Sequence, residues 1–426
     1  MKALRLLLPF LLLPIFSVAQ AVIQLTDTAT VSREETPILA PPIMAQKWNQ
    51  INTKFFTLNI GAALLFDYNS MSQDDNSIAQ VGKVDPATEF RGERLVFSGK
   101  LLFFKKPWNY MISANYNGLN NPSDKPNFDF VDYSIEIPFG HRGGWLTLGK
   151  QKEGIGQEWI MPGTQAMFME RGSGAPLFIR QRNNGIRYTN NLLNQRITFN
   201  VGVFNNWLTT DNSFSDNGTQ VVFRTSGLPH YTSDSELMHV SVGVRHSTPT
   251  NGTLTFKAKP EFNTAPQFIN TGAFDADGST TLALEWMGVK GPFSVLTEFM
   301  PTFVNSDATG DPFLYYYQIA GSWFITGENR RYNKRTGNLG KLVPQKQFTF
   351  KKGGGPGAFE LATRYTRSNA NNAGLTGGDY GRFTSGLSWY PNSFFRFEVN
   401  YSLGRLDRNE RIGKSNAFQF RAQFEL

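Results

Sequence analysis

From residue 54 onward, apolar and polar side chains take turns with period two. Phe56, Leu58, Ile60, Ala62, Leu64 and Phe66 alternate with Phe55, Thr57, Asn59, Gly61, Ala63, Leu65 and Asp67, and the second set is smaller and more polar. In an extended strand the two sets face opposite sides. The contrast sharpens downstream. Val131, Tyr133, Ile135 and Ile137 alternate with Asp132, Ser134 and Glu136; Met238, Val240, Val242 and Val244 with His239, Ser241, Gly243 and Arg245; Phe395, Phe397, Val399, Tyr401 and Leu403 with Arg396, Glu398, Asn400 and Ser402. About 16 or 17 such tracts fit between residues 54 and 426, with Val221 to Ser226 the one that reads equally as loop. A repeat of roughly 20–25 residues suits strands of ~10 residues joined alternately by short turns and longer loops.

Nothing after residue 21 approaches ~18 consecutive apolar residues, so a transmembrane helix is not expected. A chain that spans a membrane without helices must close its strands into a barrel, because hydrocarbon offers no partner to an open backbone edge. The ending fits this: Phe418, Phe420, Ala422, Phe424 and Leu426 alternate with Gln419, Arg421, Gln423 and Glu425 up to the last residue. A free edge carrying exposed Phe would invite aggregation, whereas a last strand paired with the first would not. Tyr68, Trp108, Tyr110, Trp145, Trp389, Tyr390 and Tyr401 at strand ends suit aromatic girdles. The expected fold is an all-β transmembrane antiparallel barrel of sixteen strands over residues 53–426, with an inward-folded constriction loop; a soluble β-sandwich or β-helix is the alternative.

The N-terminus sets the compartment. Lys2 and Arg5 precede an apolar run from Leu6 to Val18, and small residues follow at Ser17, Ala19 and Ala21. This reads as a secretory signal peptide over residues 1–21, cleaved after Ala19 or Ala21, leading to a periplasmic segment over 22–52 that is Pro-rich at Thr36 to Pro42. Its removal lowers the net charge of the chain from +8 to +6. That excess permits an anion-attracting interior without demanding one. Cys is absent, so no disulfide staples the exported chain. No nucleic-acid-binding pattern occurs.

Enzyme chemistry is thinly represented, and neither a metal site nor a cofactor is expected. His141, His230, His239 and His246 are the only histidines. His239 and Ser241 share one strand face and form the best candidate for a Ser–His pair of an outer-membrane hydrolase, although polar wall lining explains both. Asp275-Ala-Asp277-Gly278 matches only the start of a calcium loop, and Gly353 to Gly357 lacks the Lys-Ser/Thr ending of a phosphate loop.

Basic residues carry more information. Alternation turns Arg94, Lys100, Arg187, Arg196, Arg245, Arg364 and Arg396 inward, together with Asp132, Glu136, Glu360 and Glu398. Cross-strand pairing of these charges is the plain alternative to a solute-binding role. Residues 153–182 form a long Gly- and Pro-containing insertion with Arg171, Arg180 and Arg182, long enough to fold inward and constrict a pore. Residues 328–352 hold Arg330, Arg331, Lys334, Arg335, Lys341, Lys346, Lys351 and Lys352 against one acid, Glu328. Such a basic loop at a pore mouth would concentrate anions, or would bind lipopolysaccharide phosphates.

The chain resembles the phosphate-selective porin O and P family over most of residues 54–426. The likeness is carried by Gly357-Ala358-Phe359-Glu360-Leu361-Ala362-Thr363-Arg364-Tyr365, by Gly327 to Tyr332, by Leu148 to Glu153, by Phe168-Met169-Glu170-Arg171 and by the ending Phe418 to Leu426. The resemblance implies a 16-stranded homotrimeric outer-membrane porin that holds anions through lumenal Arg and Lys residues. It points to Lys150, Lys152, Arg171 and Arg364 as anion contacts. The expected function is passive diffusion of small anions, with phosphate or polyphosphate as candidate solutes and outer-membrane lipid and lipopolysaccharide as surroundings. A general or sugar-type diffusion porin and an outer-membrane hydrolase are the alternatives.

Overall fold

A computed structural model describes residues 49–120, 128–140, 143–179, 182–205 and 218–426. The segment expected to be a signal peptide and nearly all of the 22–52 leader lie outside the described residues. The leader's last residues, Gln50–Asn52, pair antiparallel with Thr57, Leu58 and Asn59.

Among the described residues, sixteen long strands build one antiparallel sheet. They are β1 (Thr57–Gln73), β2 (Ala87–Leu101), β3 (Trp108–Tyr116), β4 (Phe128–Phe139), β5 (Gly144–Gln151), β6 (Asn183–Leu192), β7 (Ile197–Asn205) and β8 (Thr219–Ser233), then β9 (Glu236–Ser247), β10 (Gly278–Lys290), β11 (Phe293–Asn305), β12 (Phe313–Phe324), β13 (Ala358–Asn372), β14 (Leu375–Tyr390), β15 (Phe395–Arg408) and β16 (Arg411–Glu425). Each pairs with the next, and β16 pairs with β1 from Ala63↔Glu425 to Gln73↔Ser415. The Leu426 N–H adds a bond to the Ala62 carbonyl at 2.8 Å. The sheet is therefore a closed barrel with no free edge for lipid to face. Val221 to Ser226, ambiguous in the sequence, lies inside β8.

Alternation sorts the two faces. On β11 and β12, Phe293, Val295, Phe299, Ile319 and Trp323 are exposed outward, while Ser294, Glu298, Thr302, Gln318 and Ser322 are buried inward. Inward hydroxyls bridge neighbouring strands, as Thr281 to Thr302 at 2.9 Å and Ser294 to Ser322 at 2.8 Å. Two of the expected girdle aromatics belong to the other face. Trp145 and Tyr390 fall in phase with Thr147 and Ser388, so both are buried inward.

Connections of different length gather at the two ends of the barrel. Among the described residues, one end carries 74–86, 152–179, 248–277 and 306–312 together with the two-residue turns 373–374 and 409–410; the other carries turns such as 193–196, 234–235 and 291–292. Short turns mark the periplasmic end of outer-membrane barrels. The exception at the turn end is the long 325–357 connection between β12 and β13.

Candidate functional site

Residues 152–182 leave β5 and enter the barrel. The local sequence favours this: Gly154 and Gly156 take positive φ, 85° and 77°, a region that glycine enters without a Cβ penalty. Ile155 between them is fully buried and packs on Gly243 of β9, where a Cβ would stand 2.8 Å from it. The segment is then tied to the β9–β16 wall. Arg245 grips Glu153 at 2.5 Å, the Gln157 N–H donates to Glu298 at 2.9 Å, and Arg364 reaches Glu158 at 2.8 Å. Arg396 donates to the carbonyls of Ala166 and Met167 at 2.7 and 2.9 Å, and Gln423 donates to that of Thr164 at 3.0 Å.

Residues 248–277 also reach inward. Glu261 accepts from Arg364 and Thr366, each at 2.6 Å, and Asn263 donates to Glu89 of β2 at 2.6 Å. From the turn end, residues 325–357 supply a third insertion. Arg330 forks onto Glu360 (3.2 and 2.6 Å), Arg224 donates to the Gly337 carbonyl at 2.9 Å, and Tyr332 OH meets His239 Nδ1 at 2.6 Å.

The interior charges fall into two groups by wetness. Against the β8–β16 wall the pairs are dry: the Arg224 and Glu285 side chains are 0% exposed and that of Arg364 is 2%. Toward β2–β6 the arginines reach water: Arg91 is 33% exposed, and Arg94, Arg171, Arg182 and Arg187 are all partly exposed, whereas Lys152, Glu93, Asp132 and Glu136 are buried. Most cations on this side rest on backbone or amide oxygens. Arg94 donates to Asn115 at 3.0 Å; Arg171 donates to the carbonyls of Glu158 and Met161 at 2.8 and 2.6 Å; Lys152 donates to those of Ile160 and Met161 at 3.1 and 2.8 Å; Arg187 donates to that of Lys152 at 2.9 Å. Arg182 pairs with Asp132 at 3.2 Å.

These cations feel one another. Burial, then the neighbouring Arg182 guanidinium, pushes Arg171 down to about 10. Burial, followed by Arg171 and Arg182, holds Lys152 well below the usual lysine value, against a lesser pull from Asp132. A carbonyl oxygen satisfies a guanidinium hydrogen without cancelling its charge, so Arg94, Arg171 and Arg187 keep theirs, whereas Arg91, Arg182 and Arg335 are paired with Glu170, Asp132 and Glu136.

Residues 59–426 match the family described as phosphate-selective porin O and P. The chain belongs to this family. It is an outer-membrane porin, a diffusion channel rather than an enzyme. Solved porins share the architecture. The outer-membrane channel DcaP of Acinetobacter baumannii aligns with a TM-score of 0.55 at 11% identity, over 88% of this chain and 99% of that one. The anion-selective porin from Comamonas acidovorans gives 0.51 at 12%, over 87% and 100%. The trimer form of Vibrio cholerae OmpT gives 0.53 at 10%, over 87% and 100%. At such identities the likeness carries the fold alone. A Caulobacter vibrioides protein described as uncharacterized is 36% identical over 81 residues, which is 19% of this chain and 15% of that relative.

The sequence-predicted residues of this porin scatter. Lys152, Arg171 and Arg187 gather on the wetter side, whereas Arg180 lies outside the described residues. Lys150 stands opposite Tyr133 on the outward set with Leu146 and Leu148, and its ammonium donates to the Phe130 carbonyl at 2.8 Å. Arg196 lies in the turn between β6 and β7, exposed, donating to the Tyr231 carbonyl at 3.3 Å. Arg245, Arg364 and Arg396 face inward, yet loop carboxylates and carbonyls occupy them. The basic 328–352 segment does not stand out as a solvated rosette. Arg330, Arg335 and Lys341 pair with Glu360, Glu136 and Glu425, and Lys334 sits 3.7 Å over the Tyr231 ring; Arg331, Lys346, Lys351 and Lys352 are exposed. The cause is apolar: Tyr332, Leu339 and Leu342 are buried and carry their basic neighbours inward.

The His239–Ser241 pair is not a catalytic dyad. His239 is engaged by Tyr332 and, at 3.4 Å, by Glu285, while Ser241 donates to the Thr225 carbonyl at 3.0 Å. Arg91, Glu170 and Arg421 are not among the candidate residues read from the sequence; the alternation sets Arg421 in the polar row of the last strand, Glu170 lies in a loop, and Arg91 is out of phase. The register between β1 and β2 slips at Leu65/Phe66, opposite Gly92. That bulge lets Arg91 reach inward although it is out of phase with Arg94.

Proposed function

We propose that this porin passes small anions along the β2–β6 side of its interior, with residues 152–182 as the constriction. The observation that carries the reading is the set Arg94, Lys152, Arg171 and Arg187, whose described partners are neutral oxygens. Anions crossing there would exchange part of their hydration for several weak cationic contacts, enough to enter and too weak to retain them. The dry arginines of β9–β16 hold the inserted loops in place and do not meet the solute.

Export through a cleaved signal peptide and assembly as a homotrimer belong to the same proposal. The outer-membrane family match supports the first, and the trimer form of OmpT, a solved porin of the same fold, supports the second. The test is the reversal potential of the purified protein in a planar bilayer under a KCl gradient. Anion preference that falls on replacing Arg94 and Arg171 by Gln supports the reading. Equal permeability, or clear cation preference, rejects it in favour of general diffusion.

A further inference from the structure

Glu170, next to Arg171 on the inserted loop, sits in a fork of two arginines. Arg91 of β2 donates to its carboxylate through Nε at 2.7 Å and Nη2 at 3.2 Å, and Arg421 of β16 donates through Nη2 at 3.0 Å. We propose that the Arg91 arm of this fork is an oxyanion subsite and that Glu170 is a tethered carboxylate occupying it, so that passing carboxylates or phosphates exchange with Glu170 for Arg91 while Arg421 anchors the loop. The inference rests on the anion path proposed above and names its selectivity-determining residue.

The two arms of the fork differ in a way that suits exchange. Arg421 is committed elsewhere: it forks onto Asp67 at 2.7 and 2.6 Å and also donates to the Met169 carbonyl. The Arg421 and Asp67 side chains are 3% and 2% exposed. Arg91 is bonded to Glu170 among the described residues, and that pair is 33% and 18% exposed, so water and solute can reach it. The nearby carboxylate of Glu89 is taken by Asn263. Displacing Glu170 therefore frees one wet guanidinium while Arg421 stays anchored. The planar fork fits a carboxylate or phosphate, which can take two parallel N–H bonds, better than a spherical halide.

Tethering also limits retention. An incoming oxyanion must compete with a carboxylate that cannot diffuse away, so the site turns over instead of trapping its solute.

The experiment measures chloride current through the full chain in a planar bilayer while inorganic phosphate is added, with acetate in a parallel arm. In Glu170→Gln the half-blocking phosphate concentration should fall by about tenfold or more, since hydrogen bonds to a charged group are worth roughly 1.5–3 kcal/mol. Acetate should follow if a single carboxylate suffices, and phosphate alone should respond if a third oxygen is needed; either result supports the subsite. The double variant Arg91→Gln/Glu170→Gln should return to wild-type sensitivity. Glu170→Asp, one methylene short of the fork, should fall between and reports even if the Gln variant does not fold. Unchanged block in Glu170→Gln or Glu170→Asp overturns the proposal, and so does a gain that survives loss of Arg91. Wild-type anion preference with no Glu170 effect sinks this inference alone. A Glu170 effect on a wild-type pore without anion preference sinks only the functional reading.

Discussion

Arg330 donates through Nη1 to the carbonyl of Gln165 at 2.6 Å, joining the two segments that enter the barrel from opposite ends. Arg330 belongs to the turn-end insertion and Gln165 to the 152–182 loop. The same guanidinium forks onto Glu360 at the start of β13. One buried cation thus ties both insertions to β13, while Arg335 on Glu136 and the Asn191 amide on the Lys334 carbonyl hold the turn-end insertion to β4 and β6 as well.

Replacing Arg330 by Ala should unfasten this joint. Glu360 would stay buried with Tyr390 OH, at 2.8 Å, as its remaining described partner. Removing one member of a buried ion pair costs about 3–5 kcal/mol. The unfolding midpoint in detergent should fall accordingly, and single-channel conductance should rise as the insertions loosen. Arg331→Ala, next door but exposed, should change stability by no more than about 0.5 kcal/mol. Equal effects of the two substitutions would contradict the role given to Arg330.

Facing separates two lysine and arginine candidates that the family resemblance placed together. Arg171 rests on loop carbonyls 5.0 Å over the Trp159 ring, inside the barrel, whereas Lys150 shares the outward set with Leu148. Arg171→Gln should lower the anion-to-cation permeability ratio several-fold, on the scale of one screened unit charge in a narrow pore. Lys150→Gln should leave the ratio unchanged. Reversal potentials of the two variants, measured side by side, decide the matter.

Lys152 should make the proposed anion preference pH-dependent. Burial, and then Arg171 and Arg182, favour its neutral form in the folded protein, so its charge is lost below the ~10.4 at which a free lysine titrates. Through that window the unfolded chain binds more protons than the folded one. Stability should therefore rise with pH while anion preference falls. Two readouts of opposite sign make the test sharp. Lys152→Met should flatten both profiles below pH ~10. A wild-type reversal potential that holds steady up to that pH would contradict the assignment.

The barrel was legible because alternation is a local property, readable from neighbours two apart. Outward Phe293 and Val295 and inward Ser294 follow from it directly. The candidate site was legible only in part, for three physical reasons. A bulge at Gly92 reverses the phase, which hid Arg91. Contacts such as Glu158 with Arg364 join residues 206 apart, and nothing in either stretch names the other. The third reason is the buried anchors of residues 328–352. Counting charges suggested a solvated mouth, whereas Tyr332, Leu339 and Leu342 decide where that segment goes. Lys150 is a different case, since the alternation of Leu146, Leu148 and Lys150 already set it outward and only the family likeness pointed in.

The seat of the 152–182 loop on β12 rests on missing side chains. A Cβ on Gly174 would lie 1.9 Å from Cγ of Tyr316, and one on Gly172 1.8 Å from its hydroxyl oxygen. Gly174 does not have a positive φ, so alanine there is refused by space alone and not by backbone conformation. Gly174→Ala should cost about 1–3 kcal/mol, the usual range for overpacking a filled interior. If the ring is the cause, Gly174→Ala and Tyr316→Ala should be strongly coupled. The double variant should be less destabilised than the two singles added together, by at least about 0.5 kcal/mol, which is the threshold for residues in contact. Because the loop would lift from β12, the Gly174→Ala variant should also show altered single-channel conductance, and the double variant should recover part of it. Additive stability losses with unchanged conductance would show that the loop is held by its ion pairs, with Tyr316 a bystander.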